Sequence, residues 1–196
     1  MKHLYALLLL LLPVCLLAMP WRGYIVSKND VPLTGYIGLI QHHNKTSTIV
    51  FVNDFGDTYE IAAQLIKGFA YQSDDRMIYY ETKRVGQRWR FLQIVAKNEP
   101  MELYLLTATY RPQSLEDWSS IAQDGTSAII AYWLKPEGRR LVKINRWGFR
   151  SKMRRLLAPK APALADKVGQ KGYRFRDVPS IIKEYNQLLA PKPNQI

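Results

Sequence analysis

The sequence predicts an α+β protein: an antiparallel β-sandwich or barrel-like domain of about eight to ten strands, followed by two or three C-terminal helices. Two observations carry this. From Gly23 to Pro136, turn residues recur at short intervals with β-branched and aromatic runs between them, which is the rhythm of an antiparallel β domain. At Phe149 the apolar period changes from alternation to helical spacing. The expected division is a leader over 1–18, an antiparallel β domain over 19–145 and a basic helical region over 146–196.

The leader comes first. Met1-Lys2-His3 is a short positive start, and an apolar run follows from Leu4 to Ala18 with six consecutive leucines at Leu7 to Leu12. This is the pattern of a cleavable signal peptide. A spanning helix needs about 20 apolar residues, whereas this run is shorter, is broken by Pro13 and meets Arg22 soon after its end. The expectation is therefore an exported protein of the periplasm or cell surface, with no transmembrane helix after cleavage. Cys15 is the only cysteine; Pro13 and Val14 precede it, which departs from the small residue that lipoprotein signals place there. Cleavage after Ala18 would leave no cysteine, which removes disulfides and thiolate chemistry together.

Next come the strands. Tyr36 to Ile40 and Ser47 to Val52 read as a hairpin around His42, His43 and Asn44, and Asp54-Phe55-Gly56-Asp57 turns the chain into Thr58 to Ile61. Ile66 to Tyr71, Met77 to Thr82, Trp89 to Ala96 and Met101 to Tyr110 follow. Between Trp89 and Ala96, alternation places Phe91, Gln93 and Val95 on one face and Leu92, Ile94 and Ala96 on the other. Apolar residues on both faces imply a strand covered on both sides. Residues 111–127 read as a polar loop holding one helical turn. Ala128 to Leu134 and Arg139 to Asn145 form a last hairpin about Pro136-Glu137-Gly138.

Then the helices. Phe149, Met153, Leu156 and Leu157 lie at helical spacing, and a second short helix is expected over Ala163 to Val168. In the last helix, Asp177 stands at the N-cap and Pro179 in the first turn, where a missing N–H costs nothing. Its stripe of Ile181, Ile182, Tyr185, Leu188 and Leu189 has to pack on something, first of all on the β domain. Pro191 to Ile196 reads as a loose tail.

Charge is unevenly placed. The formal net charge is +12, yet residues 19–134 carry 11 Lys/Arg against 12 Asp/Glu, and residues 135–196 carry 16 against 4. Arg139, Arg140, Lys143, Arg146, Arg150, Lys152, Arg154 and Arg155 fall close together, with Trp147 and Phe149 among them. Arginine forks suit phosphates and carboxylates. The two aromatics are expected in the core, fastening the helix to the sheet.

Gly23 to Val26, Leu33 to Ile37, Ile66 to Phe69, Phe91 to Ile94 and Leu103-Tyr104 together resemble a group of exported proteins common in Bacteroidetes. Leu156 to Pro162, Leu164 to Val168, Tyr173, Asp177-Val178, Ile181-Ile182 and Tyr185-Asn186 extend the resemblance. Relatives tend to have an acidic residue and a cysteine before a proline where this chain has Ala158-Pro159-Lys160-Ala161-Pro162. The resemblance implies export and a β domain followed by helices, and it implies no catalytic residues.

No chemistry motif emerges. Adjacent His42 and His43 on a strand would point to opposite faces, so they read as solvated turn residues and not as metal ligands. Asp74-Asp75 and Glu116-Asp117 sit in polar stretches, and there is no G-x-S-x-G, S-x-x-K or phosphate-binding glycine loop. No catalytic residue, metal or cofactor is expected. The reading is a non-catalytic, envelope-associated binding protein whose eight C-terminal cations contact an anionic surface or protein partner, with export pointing away from nucleic acid. Two alternatives stand beside it. One is an enzyme acting on an envelope polymer, marked by a shifted carboxylate or histidine in a cleft. The other is a structural protein recruiting a partner chain through an exposed Ile181, Tyr185 and Leu188 stripe.

Overall fold

The computed structural model describes residues 21–73, 75–107 and 129–190. The leader with Cys15, Asp74, the loop over 111–127 with Glu116 and Asp117, the ends of two expected strands at 108–110 and Ala128, and the tail from Pro191 lie outside the described residues.

The protein has the expected α+β class. Ten strands form one antiparallel sheet: β1 (Trp21–Ser27), β2 (Pro32–His42), β3 (Ser47–Asn53), β4 (Thr58–Ala62), β5 (Ile66–Ser73), β6 (Arg76–Val85), β7 (Arg88–Ala96), β8 (Met101–Thr107), β9 (Ile129–Pro136) and β10 (Val142–Ile144). Their order is β10-β9-β8-β7-β6-β5-β1-β2-β3-β4, so the sheet is open, with β4 and β10 at its edges. Three helices follow: α1 (Phe149–Leu157), α2 (Pro162–Lys167) and α3 (Val178–Leu189).

The sheet curls. Bulges interrupt β2 between Ile37 and Ile40 and β1 beside β5 at Val26 and Ser27. At Gly68 the carbonyl oxygen of Tyr80 lies 2.2 Å from where a Cβ would stand, so only glycine lets β5 approach β6 this closely. The curl brings the β2–β3 turn onto the start of β7, where the Trp89 N–H donates to the Lys45 carbonyl at 3.1 Å. Arg90, buried at 7% exposure, donates to the Asn44 carbonyl at 3.2 Å.

Inside the curl, Trp21 stacks on Tyr71 and Phe69 on Tyr80, each at 4.6 Å between ring centroids, and Phe91 meets Phe69 edge-on. Further along the sheet, Met101, Leu103, Tyr132, Leu134 and Ile144 receive the helices through Phe149, Met153, Leu157, Leu164, Val178, Ile181, Ile182 and Tyr185. Leu92, Tyr104, Leu106, Ala131 and Trp133 form a third cluster. Phe91 and Leu92 are both fully buried and belong to different clusters, as a strand covered on both sides requires.

The register corrects the alternation expected in β7. Gln93 pairs with Leu105 and Ile94 with Tyr104, but Ala96 pairs with Leu103. Val95 is therefore bulged out, and Ala96 shares the face of Gln93. The last hairpin is also shorter than expected, with β10 confined to Val142–Ile144.

One polar residue joins helix to sheet. Asn186 is buried; its side-chain oxygen accepts from the Met101 N–H at 2.9 Å and its amide donates to the Met101 carbonyl at 3.0 Å. That amide takes the place of a neighbouring strand at the start of β8. Asp177 precedes α3 as expected, but its carboxylate accepts from the Arg174 N–H at 2.9 Å and so serves the 3-10 turn over Phe175–Asp177.

Candidate anion-binding edge

The eight cations singled out in the sequence lie on or beside β10 and α1, which run next to each other in opposite directions. At one end Lys160, just beyond α1, pairs with Glu137 in the β9–β10 turn at 3.7 Å. In the middle the Lys152 ammonium donates to the Lys143 carbonyl at 3.2 Å. At the other end Gly148, in the left-handed region at φ 77°, reverses the chain between β10 and α1. Arg139 and Arg140 thus sit at the Glu137 end, Lys143 and Lys152 midway, and Arg146 and Arg150 at the Gly148 end.

Spacing on α1 decides where its cations point. Phe149, Met153 and Leu157 are buried four residues apart and define the inward stripe. Arg150 and Arg154, one turn apart, flank it and donate to the carbonyls of Gly169 at 3.4 Å and Val168 at 3.3 Å. A side chain at Gly169 would meet the Arg150 guanidinium, so this glycine also makes room for the arginine. Arg155 lies opposite the inward stripe and is exposed.

Among the described residues, none of these eight side chains forms an ion pair with a carboxylate. The contacts of Arg150, Lys152 and Arg154 to carbonyls orient them without cancelling their charge, and Lys143 lies over the Trp133 ring at 5.9 Å.

Trp147 corrects the sequence reading. Phe149 is buried at 5% exposure as expected, but Trp147 is 90% exposed. Gly148 causes the split: the helix begins at Phe149, and Trp147 falls in the turn before it, off the buried stripe. A tryptophan between Arg146 and a glycine turn was the available signal.

His42 is also corrected. It is half-buried, and its Nδ1 lies 2.6 Å from the hydroxyl of fully buried Ser47, while exposed His43 meets the Thr48 hydroxyl at 3.2 Å. Burial, with the positive Arg90 and His43 nearby, pushes the His42 imidazole down to about 4. A histidine and serine in contact suggest nucleophilic catalysis, but Ser47 has no exposure, and among the described residues no carboxylate orients the ring through another hydrogen bond in the manner of a triad. The pair locks the hairpin.

A polar cluster around Glu81 and Glu102 is self-contained. Tyr104 donates to Glu102 at 2.5 Å, Lys135 pairs with Glu102 at 3.1 Å, and Lys83 and Lys97 pair with Glu81 at 2.8 and 3.4 Å. Burial works against ionisation of Glu102, but hydrogen bonds from Tyr104 and Lys135 outweigh it and hold the carboxyl below its ordinary range. Glu102 borders a cleft of about 360 Å³, yet both its oxygens are already engaged. Of the stripe that would recruit a partner, Ile181 and Tyr185 are buried and Leu188 is 60% exposed. Among the described residues no group of three or more His, Cys, Asp or Glu could hold a metal ion, and no helix is long and apolar enough to cross a membrane.

Fold and edge together describe an open antiparallel sheet backed by three helices, with eight cations that form no ion pair among the described residues. No protein-family model matches the chain, and neither a curated protein nor a solved structure is found to be similar to it.

Proposed function

We propose that this is an exported, non-catalytic, envelope-associated binding protein whose basic C-terminal edge contacts an anionic surface or partner. The observation that carries the reading is the run of eight cations along β10 and α1 with no ion-pairing acid among the described residues. Fixed cations of one sign raise the local concentration of anionic groups and steer their approach. The apolar leader supports export.

The test is binding of the purified protein to dextran sulfate and to phosphatidylglycerol vesicles, beside a variant with Arg150, Arg154 and Arg155 changed to Gln. Each cation near an anionic surface contributes roughly 1 kcal/mol, so the variant should bind at least about tenfold more weakly. Binding should also weaken as salt shortens the screening length. Equal binding by protein and variant on both probes sinks the reading. The intact mass of protein recovered from the envelope, short by residues 1–18, checks export.

A further inference from the structure

We infer that Trp147 is a bilayer-inserting residue, so that the anionic surface met by the basic edge is a phospholipid membrane. This rests on the anionic-surface reading above and names the surface.

Trp147 is 90% exposed. A folded protein covers most of a tryptophan's large apolar surface, so an indole left almost wholly in water by a fixed segment needs a reason. The segment is fixed on its C-terminal side: Phe149 is buried, the Ser151 hydroxyl donates to the Gly148 carbonyl at 3.2 Å and the Lys152 N–H donates to the same carbonyl at 3.1 Å. On its N-terminal side, Ile144 is fully buried in β10. The ring is therefore presented from a rigid turn.

Its neighbours are cations. Arg146 precedes it and Arg150 follows three residues later, in the first turn of α1; both are exposed. A soluble polyanion needs only the cations and offers an indole little to bury itself in. An anionic bilayer offers both, with phosphates for the guanidinium groups and, just beneath them, an interface that favours an amphipathic aromatic ring.

An internal control exists. Phe55 is 92% exposed in the β3–β4 turn, at the opposite edge of the sheet, beside Asp54, which is already paired with Arg22. It shares the exposure of Trp147, but its neighbouring cation Arg22 is answered by a carboxylate.

The experiment measures the purified protein, Trp147→Ala, Phe55→Ala and the triple arginine variant against phosphatidylglycerol vesicles and dextran sulfate. With vesicles whose acyl chains carry bromine, it also follows indole fluorescence. Trp147→Ala should bind vesicles about tenfold more weakly and dextran sulfate unchanged, while Phe55→Ala binds both as the parent does. Brominated chains should quench the parent, and Trp147→Phe should lose that quenching. Unchanged vesicle binding by Trp147→Ala, no quenching of the parent, or equal losses on vesicles and dextran sulfate would each overturn the inference. If the triple arginine variant still loses binding in that case, the anionic-surface reading stands without the membrane; if it too binds normally, that reading falls separately.

Discussion

Cations in the sheet and cations along the C-terminal edge are held in opposite ways. On the sheet, Arg22 pairs with Asp54, Lys67 with Asp30, Lys83 and Lys97 with Glu81, and Lys135 with Glu102. Along the edge, Arg150, Lys152 and Arg154 reach only main-chain carbonyls. A carboxylate answers the charge, whereas a carbonyl merely aims it. At these five positions the sheet answers its own charge, whereas the edge cations keep theirs.

The largest effect concerns the junction on which the edge is mounted. Asn186→Ala leaves the Met101 N–H and carbonyl without their buried partner, which should cost about 2–4 kcal/mol in chemical denaturation. A loss below about 1 kcal/mol would mean that water or a shifted strand replaces the amide.

Acid probes the buried imidazole of His42, which lies near Arg90. Because the folded protein holds His42 at about 4 while the unfolded chain protonates near 6.5, the unfolded state takes up the proton first. Stability contributed by neutral His42 is full above about pH 6.5 and should fall by about 3 kcal/mol as pH drops toward 4. His42→Gln should flatten that slope in denaturation curves collected across the range; an unchanged slope would assign the loss to carboxylates instead.

The smallest effects sharpen the comparison most. Glu81→Gln leaves Lys83 and Lys97 without their shared acid and should cost about 1 kcal/mol. Arg139→Gln, Arg140→Gln and Arg155→Gln remove charges that no carboxylate among the described residues answers, and each should change thermal stability by less than about 0.5 kcal/mol. Edge substitutions as costly as Glu81→Gln would show that these arginines serve the fold.

Much of the fold was legible because periodicity is a local property. The turn at Asp54 to Asp57 and the helix from Phe149 to Leu157 follow from a few neighbouring residues. What could not be read depends on distant partners or on single-residue shifts. The bulge at Val95 moves Ala96 to the other face, and nothing in Gln93 to Ala96 signals it. His42 is held neutral first by its burial and then by Arg90, which the curl brings to it from 48 positions away. The cations of the edge were visible as composition, but their lack of acids depends on how β10 and α1 lie. Trp147 was misplaced because two aromatics straddle a glycine, and only the start of the helix decides which of them faces inward. Asn186 did leave a trace: it is polar four residues after Ile182, where the stripe calls for an apolar residue.

That asparagine has a temporal consequence. The Met101 amide hydrogen is held by a side chain 85 residues further along the chain. As the polypeptide is made from its N-terminus, β8 can align with β7 while its first residue still lacks its partner. Protection of that single hydrogen against exchange with solvent therefore acts as a clock hand, moving only when α3 has docked, and it separates the moment the sheet is assembled from the moment the molecule is finished.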